Sequence, residues 1–596
     1  MSRSHSSFLS LRSEQSCLPR RSVGLYASAG PVCIFFVIVG RLLQAGNRLV
    51  WIGLAVAGIG SVVTVGAWSL QSGNGSGTSR PKIVLRQKSS SDPSNLRVAS
   101  EPFSGITRPS SLRRSTALAL PILIGIACGW RSYAEEHAIV SAKESVATLF
   151  YRRVEAWGEV VSEPKRLWGA DTFTLRVTEL RADDVVLQQQ LRVLTTDKGL
   201  VGARLGETIR IVGIVAPLPS SRSSYYDRIH TVAALRAEHV EIRGPPRRLI
   251  AASNWVRDRL SMAVYYSLPR TESALMLGLL IGEDTRLPPE VKDAFRNAGM
   301  SHLTAVSGQN FAVVLGMVAF ATNLLVGRGN PTGRESGRTW GKVVILSGVT
   351  LFFAVLTRWE PSVMRAALMM LLGLFWVWRR KPSSLEVLSL SVALLLFLDP
   401  FLLDSAGFQL SVAATAGILV FGLRWAEWAK MQMLATLGRR GFDPIAAKVI
   451  SAVPAPAAIC FAAQTFVWPV LFWRFGEVQL AGVFSNLLAV PLAELASLYG
   501  FALAIPALAF PRVVGKAYIA VGPSLSLIAR TAEGFSRFPK LEVTIPQTWR
   551  GIIAVAFFVS IAACLRLRSM RFWARFGRAI RKDQLLYEGK HDRIDG

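Results

Sequence analysis

The sequence predicts a polytopic α-helical membrane protein of about twelve spans that carries a small extracytoplasmic β-barrel. Two observations predict the helical part. Mostly apolar runs of about 17–25 residues recur along the chain, the length that crosses roughly 30 Å of hydrocarbon. Composition agrees: 51% of the 596 residues are hydrophobic, 18% are charged, and mean hydropathy is +0.36. A third observation predicts the barrel, because residues 132–246 leave the helical pattern for a period of two.

Residues 1–131 form the first unit. The opening "MSRSHSSFLSLRSEQSCLPRRS" is basic and polar but leads to no cleavage site, so no signal peptide is expected. Apolar runs follow at 28–44 and 49–70. A Gly/Ser/Lys-rich linker, 71–114, is too polar to pack and is expected to be disordered and cytoplasmic. A third run spans about 115–130, so three crossings from a cytoplasmic start put the next segment outside.

Within 132–246, "TFTLRVTEL", "LRVLTTDKG" and "ETIRIVGIVAPL" alternate apolar and polar residues as half-buried strands do, punctuated by Gly158, Gly202, Gly206 and Gly213. Several short strands in about a hundred residues suggest an OB-like barrel, a fold that often holds single-stranded nucleic acid. Arg152, Arg153, Lys165 and Arg166, with Trp157 and Trp168 as stacking rings, are the candidate DNA-binding face. Fifteen Lys/Arg balance fifteen Asp/Glu in this segment, so an ordinary solvated barrel explains the same residues equally well.

Residues 250–300 read as amphipathic helices, the last of them lying on the membrane surface or in a groove. "LPPEVKDAFRNAG" has Pro where a helix starts and Gly299 where it ends. Nine spans follow in 301–566, near 303–327, 342–357, 362–379, 384–398, 406–424, 449–472, 480–510, 513–532 and 549–565. Counting from an external barrel, the inner loops and the 567–596 tail are rich in Lys/Arg. The outer loops "TRWEP", "LDPFLLDSAG", "WRFGEVQ" and "SRFPKLEVTIPQTW" carry fewer, and both termini are expected in the cytoplasm.

The net charge of +29 is explained by the same rule, since the 71–114 linker and the tail hold much of the excess. Charge alone therefore does not mark a nucleic-acid protein. The five cysteines form no CxxC pair and the six histidines are scattered, with no HxHxDH or HExxH cluster. GxSxG and P-loop patterns are absent too. The expectation is no catalytic residue, no metal site and no cofactor.

Ionisable groups inside spans are costly and tend to face a partner or a wet cavity. Four clusters qualify: His302, Ser307, Gln309 and Asn310 in "SHLTAVSGQN"; Arg365, with Glu360, in "EPSVMRAALMM"; Asp399, Asp404 and Gln409 in "LDPFLLDSAGFQLS"; and Asn486 and Glu494, with Arg474 and Glu477, in "WRFGEVQLAGVFSNLLAVPLAEL". Arg365 could answer Glu360, Asp399 or Asp404 and so pack helices. Taken together the clusters argue for a hydrated interior, and these residues are the channel-lining candidates.

"SALMLGLLIGEDTRLPPEVKDAFRNAGMSHLTAVSGQNFAVVLG" resembles the signature that opens the domain of ComEC-type competence proteins, the inner-membrane channels for transforming DNA. "PSVMRAALMMLLGLF", "LDPFLLDSAGFQLSVAATAGILVF" and "FGEVQLAGVFSNLLAVPLAEL" follow in family order. The resemblance implies passage of single-stranded DNA into the cytoplasm. It also implies contact with an extracytoplasmic DNA receptor and a cytoplasmic helicase-like ATPase, besides membrane lipid, and leaves a homodimer open. Many relatives have SGLH where this chain has "SGQN" at 307–310, so a role for that second histidine is not carried over. Many also end in a metallo-β-lactamase-like domain. Only about 30 residues follow the last span here, so that domain is expected to be missing and strand degradation to fall to a separate nuclease. Rival readings are a transporter of another polar solute on the same fold, or a membrane hydrolase using His302 with Asp404 or Glu494.

Overall fold

The computed structural model describes residues 111–564, apart from 168–169, 183–184, 188–190, 198–201, 220–225, 227–228, 327–335, 377–382, 441–442, 444–445, 447–449, 451–453 and 562. The runs expected at 28–44 and 49–70, nearly all of the 71–114 linker, and the 567–596 tail lie outside the described residues.

The run expected at 115–130 is part of a much longer helix, α1 (Ser111–Ala147). At 1.5 Å per residue it is about 55 Å long. Its last turns bury Ile139 and Val146, followed by Leu149, in the core of the β-domain, so tertiary packing carries the helix past its apolar run. The strands therefore begin at Arg153 rather than 132.

Seven strands follow: β1 (Arg153–Val160), β2 (Lys165–Leu167), β3 (Ala170–Ala182), β4 (Val185–Leu187), β5 (Leu191–Asp197), β6 (Thr208–Ala216) and β7 (Thr231–Gly244). The alternation read from the sequence is real. Val154, Ala156 and Val160 of β1 and Ile209, Ile211 and Val215 of β6 point inward, while Glu155, Trp157 and Glu159 point out. Antiparallel pairings run from β6 to β1, β1 to β3 and β3 to β5. A parallel β5–β7 pairing and an antiparallel β7–β6 pairing close the ring. Five strands closed in this order, with one parallel pair, form an OB-like barrel. Closure needs Gly158 at the β1 bulge, where an added Cβ would collide with the Arg176 carbonyl of β3.

Helices α2 (Arg248–Tyr265), α3 (Arg270–Ile281) and α4 (Pro289–Asn297) occupy the stretch read as amphipathic. That reading needs correcting for α3, where every residue from Ser273 to Ile281 is buried in the largest hydrophobic core. A helix apolar all round belongs inside.

Beyond them come α5 (Gly308–Val326), α6 (Ser336–Leu356), α7 (Pro361–Trp376), α8 (Ser384–Leu398), α9 (Ala406–Gly417), α10 (Leu423–Arg439), α11 (Pro454–Phe475), α12 (Gly482–Ala509), α13 (Pro511–Tyr518), α14 (Gly522–Ser536) and α15 (Gln547–Ile561). A π-turn, Ile418–Gly422, joins α9 to α10. Among the described residues four helices are long and apolar enough to cross a membrane: Ser301–Leu324, Ala406–Arg439, Pro454–Phe475 and Gly482–Ala509. Shorter apolar helices match four more expected spans: Trp340–Leu356, Pro361–Leu374, Ser384–Leu398 and Gln547–Ile561.

The span expected at 513–532 is the exception. It is two helices, α13 and α14, separated by a 3-10 turn at Ile519–Val521. Pro523 sits in the first turn of α14, where its missing N–H leaves no helical hydrogen bond unmade. In α14, Leu525, Ile528, Ala529 and Ala532 form one buried stripe, with Arg530 and Glu533 off it, so the helix is amphipathic.

The same added methyl group should act oppositely at two glycines. Gly158→Ala is expected to destabilise the full chain by about 1–3 kcal/mol through overpacking. Gly341→Ala, in open space on α6, should stabilise it by up to about 1 kcal/mol. Thermal unfolding of both variants in detergent checks the pair.

Candidate functional site

The barrel is fastened to the helical domain by a polar knot whose members the sequence reading did not single out. Arg257 on α2 is 4% exposed. Its Nη1 donates to the carbonyls of Ile281 (2.7 Å) and Leu356 (3.0 Å), and its Nη2 to Glu163 Oε2 in the β1–β2 loop (2.9 Å). Glu283 lies 3.7 Å away. Burial pushes the Arg257 guanidinium below its ordinary pKa, and the Glu163 carboxylate opposes that shift. Arg358 grips the other Glu163 oxygen at 3.0 Å and also donates to Asn254 Oδ1 (2.7 Å) and Ser253 (3.2 Å). Asn254 in turn donates to the Leu205 carbonyl of the barrel at 3.0 Å. Arg358 and Trp359 both hold positive φ, 59° and 58°, a conformation that costs non-glycine residues of order 1–3 kcal/mol. The hydrogen bonds of the knot hold that turn in place.

The loops expected outside gather on this face. "TRWEP" supplies Arg358 to the knot. The 3-10 turn Pro400–Asp404 inserts Phe401 into the barrel core. Arg474 donates to the Asp404 carbonyl and to Gln409 Oε1 (3.0 Å). Just beyond it, β8 (Glu477–Val478) pairs with β9 (Leu541–Glu542), where Lys540 bridges Glu477 (3.0 Å) and Glu542 (2.8 Å).

The candidate barrel face is not one patch. The Trp157 ring stands between two cations absent from the sequence reading, Arg181 at 4.9 Å and Arg210 at 5.8 Å. Arg210 is paired with Glu155 and Glu241, and Arg181 with Glu179. Arg152 and Arg153 are exposed at the start of β1, Arg153 being 3.1 Å from Glu238. Lys165 and Arg166 sit on β2, past the far end of β1, over 20 Å away at about 3.3 Å per residue. Trp168 lies outside the described residues.

The channel-lining candidates divide into tied and exposed groups. A 3-10 turn, Ser301–Leu303, precedes α5 and leaves His302 exposed. Gln309 is exposed as well. Ser307 caps α5 by accepting the Asn310 N–H at 3.3 Å. Asn310 is buried, donating to the Leu279 carbonyl (2.9 Å) and meeting Ser497 at 3.5 Å. Asn486 donates to the Gly299 carbonyl (3.3 Å), beside Ser485, which donates to Ala298 (2.7 Å). Asp399 accepts the Phe401 N–H (2.9 Å), Gln409 donates to the Leu403 carbonyl (2.6 Å), Asp404 is half-buried, and Glu494 is exposed on α12.

Arg365 is the outlier. It is 6% exposed and donates to Ser411 Oγ (3.0 Å) and to Met369 Sδ (3.2 Å). The expected pairing with Glu360, Asp399 or Asp404 is not formed: no carboxylate is within ion-pair distance of it among the described residues. Its Nη2 lies 3.3 Å from where a Cβ on Gly308 would be, at the positive end of α5. His302 makes no hydrogen bond or ion pair among the described residues, so the hydrolase pairing with Asp404 or Glu494 is not assembled.

These elements, from α3 onward, are what the family model matches. The competence protein family fits residues 279–570, which begin inside α3 and contain the polar opening, Arg365 and α12. This stretch is a competence domain of the ComEC type. The chain is 28% identical over 233 residues to the uncharacterized protein YcaI of Escherichia coli, covering 38% of this chain and 28% of that one. It is 28% identical over 228 residues to ComE operon protein 3 of Bacillus subtilis, 38% of this chain and 25% of that one. Over 146 residues it is 30% identical to competence protein ComA of Neisseria gonorrhoeae, 24% of this chain and 21% of that one. The matched stretches thus span about a quarter of these relatives' length. No solved structure matches the chain. The barrel precedes the matched range, so the knot joins the competence domain to the segment before it.

Removing Glu163 leaves two guanidiniums facing each other, one of them buried. Glu163→Ala is expected to cost about 3 kcal/mol, and Glu238→Ala, at an exposed pair, less than about 1 kcal/mol. The gap between their unfolding midpoints measures the knot.

Proposed function

We propose that this chain is the inner-membrane channel through which one strand of transforming DNA enters the cytoplasm. The observation that carries the reading is Arg365, a buried cation in an apolar helix with no carboxylate within ion-pair distance among the described residues. Such a charge is expensive in a membrane protein by several kcal/mol and is retained where a partner or a wet cavity compensates it. A passing polyanion would be that partner. The N-terminus of α5, which favours negative charge, adds to the attraction.

On this reading the exposed His302, Gln309 and Glu494 face the hydrated path, while Ser307, Asn310, Asp399, Gln409 and Asn486 hold its walls. The barrel meets DNA on the extracytoplasmic side through Trp157 and the cations around it. Arg181 and Arg210 join the face inferred from the sequence, and each would exchange a glutamate partner for phosphate. The chain supplies the path and no chemistry. A DNA receptor outside, a helicase-like ATPase inside and a separate nuclease supply the rest, and both termini lie in the cytoplasm.

A deletion strain given labelled duplex DNA tests the proposal. Surface binding should persist while DNase-protected label and transformants are both lost. Unchanged transformation would sink the channel reading and favour transport of another polar solute. Arg365→Gln, at an unaltered protein level, should cut transformants at least about tenfold, which is roughly 1.4 kcal/mol of lost stabilisation. Arg365→Lys, which keeps the charge, should retain more.

A further inference from the structure

Spacing along the chain shows no metal-ligand set, yet the fold builds one from distant positions. Glu135, His230 and Asp399 each bring a ligand atom to within 4.8 Å of the other two. Glu135 lies on α1, His230 directly precedes β7, and Asp399 ends α8. All three are half-buried. A metal held at about 2.0–2.2 Å by imidazole nitrogen and carboxylate oxygen places neighbouring ligands about 3–3.5 Å apart. Side-chain shifts of an ångström or less would bring these three atoms to that spacing.

The surroundings orient the ligands as the outer shell of a metal site does. Arg131 holds one oxygen of Glu135 at 2.7 Å, one helical turn before it. The Phe401 N–H holds one oxygen of Asp399 at 2.9 Å. A carboxylate keeps acceptor capacity on its second oxygen when the first is engaged. The His230 ring is set against Phe401, edge to face, with centroids 4.8 Å apart. Its backbone holds a φ of 55°, uncommon for a residue other than glycine.

We infer that Glu135, His230 and Asp399 form a binding site for a divalent transition-metal cation of the zinc or manganese class. One imidazole and two carboxylates make a borderline donor set. It is too nitrogenous for calcium and magnesium, which take oxygen, and it lacks the sulfur that selects monovalent copper. Two carboxylates and Arg131 sum to one negative charge, which the cation reverses instead of leaving acid against acid. The site joins α1, the barrel and the turn that carries Phe401, so its cation would pin the three together. This inference does not depend on what the competence domain transports.

The test uses the full chain, purified in detergent, stripped with chelator and dialysed against Zn2+ or Mn2+ in turn. Elemental analysis after washing should find about one equivalent of one of these metals per chain. His230→Ala and Asp399→Asn should lose it, the latter keeping an oxygen for the Phe401 N–H. His239→Ala, at an exposed histidine on β7, should retain it. The stripped wild type should unfold at a lower temperature than the loaded one, and Asp399→Asn should show no such difference. If that variant does not fold, Glu135→Gln replaces it. Metal absent after washing, or retained equally by His230→Ala, would overturn the site.

Discussion

A buried guanidinium must have its charge and its donors answered, and the arrangement of this molecule follows from how Arg257 meets that demand. Two of its partners are carbonyls at helix ends, Ile281 and Leu356, which by themselves would leave the charge uncompensated. The closer compensation comes from Glu163, a residue of the barrel at 2.9 Å, with Glu283 further off at 3.7 Å. Arg358 then shares the same carboxylate, and the strained turn it sits on leads directly into α7, the helix that carries Arg365. One carboxylate therefore fixes the seat of the barrel and the entry of the helix with the unanswered cation.

The contrast between the two buried arginines is informative. Arg257 is surrounded by acceptors and an acid, which is how a protein silences a charge for structural use. Among the described residues Arg365 has a hydroxyl and a thioether as its side-chain partners. Neither difference is visible in "VRD" or "VMRAA", because both depend on what other elements bring.

What could be read in advance follows from whether a signal is local. The inward alternation of Val154, Ala156 and Val160 is a property of consecutive residues and survived intact. Eight of the nine apolar stretches expected in the competence domain are apolar helices, four of them long enough to cross a membrane. The helix at 513–532 failed because its apolar content hid a one-sided stripe and a 3-10 turn at Ile519–Val521. Glu163 and Arg358 are 195 positions apart, and Glu135 and Asp399 further still, so no spacing rule reaches them. Asn310 and Asn486 drew notice as polar residues in apolar runs, yet their backbone partners at Leu279 and Gly299 belong to other segments.

The side chain of Phe401 belongs by sequence to the competence domain and by packing to the barrel. The barrel's core is thus completed by a residue from more than 150 positions downstream. Such a module is not portable. A barrel grafted from a relative would have to suit the turn at 400–404 as well as its own strands. The two segments are therefore constrained to change together over evolution, even though the family model matches from residue 279, after the barrel ends.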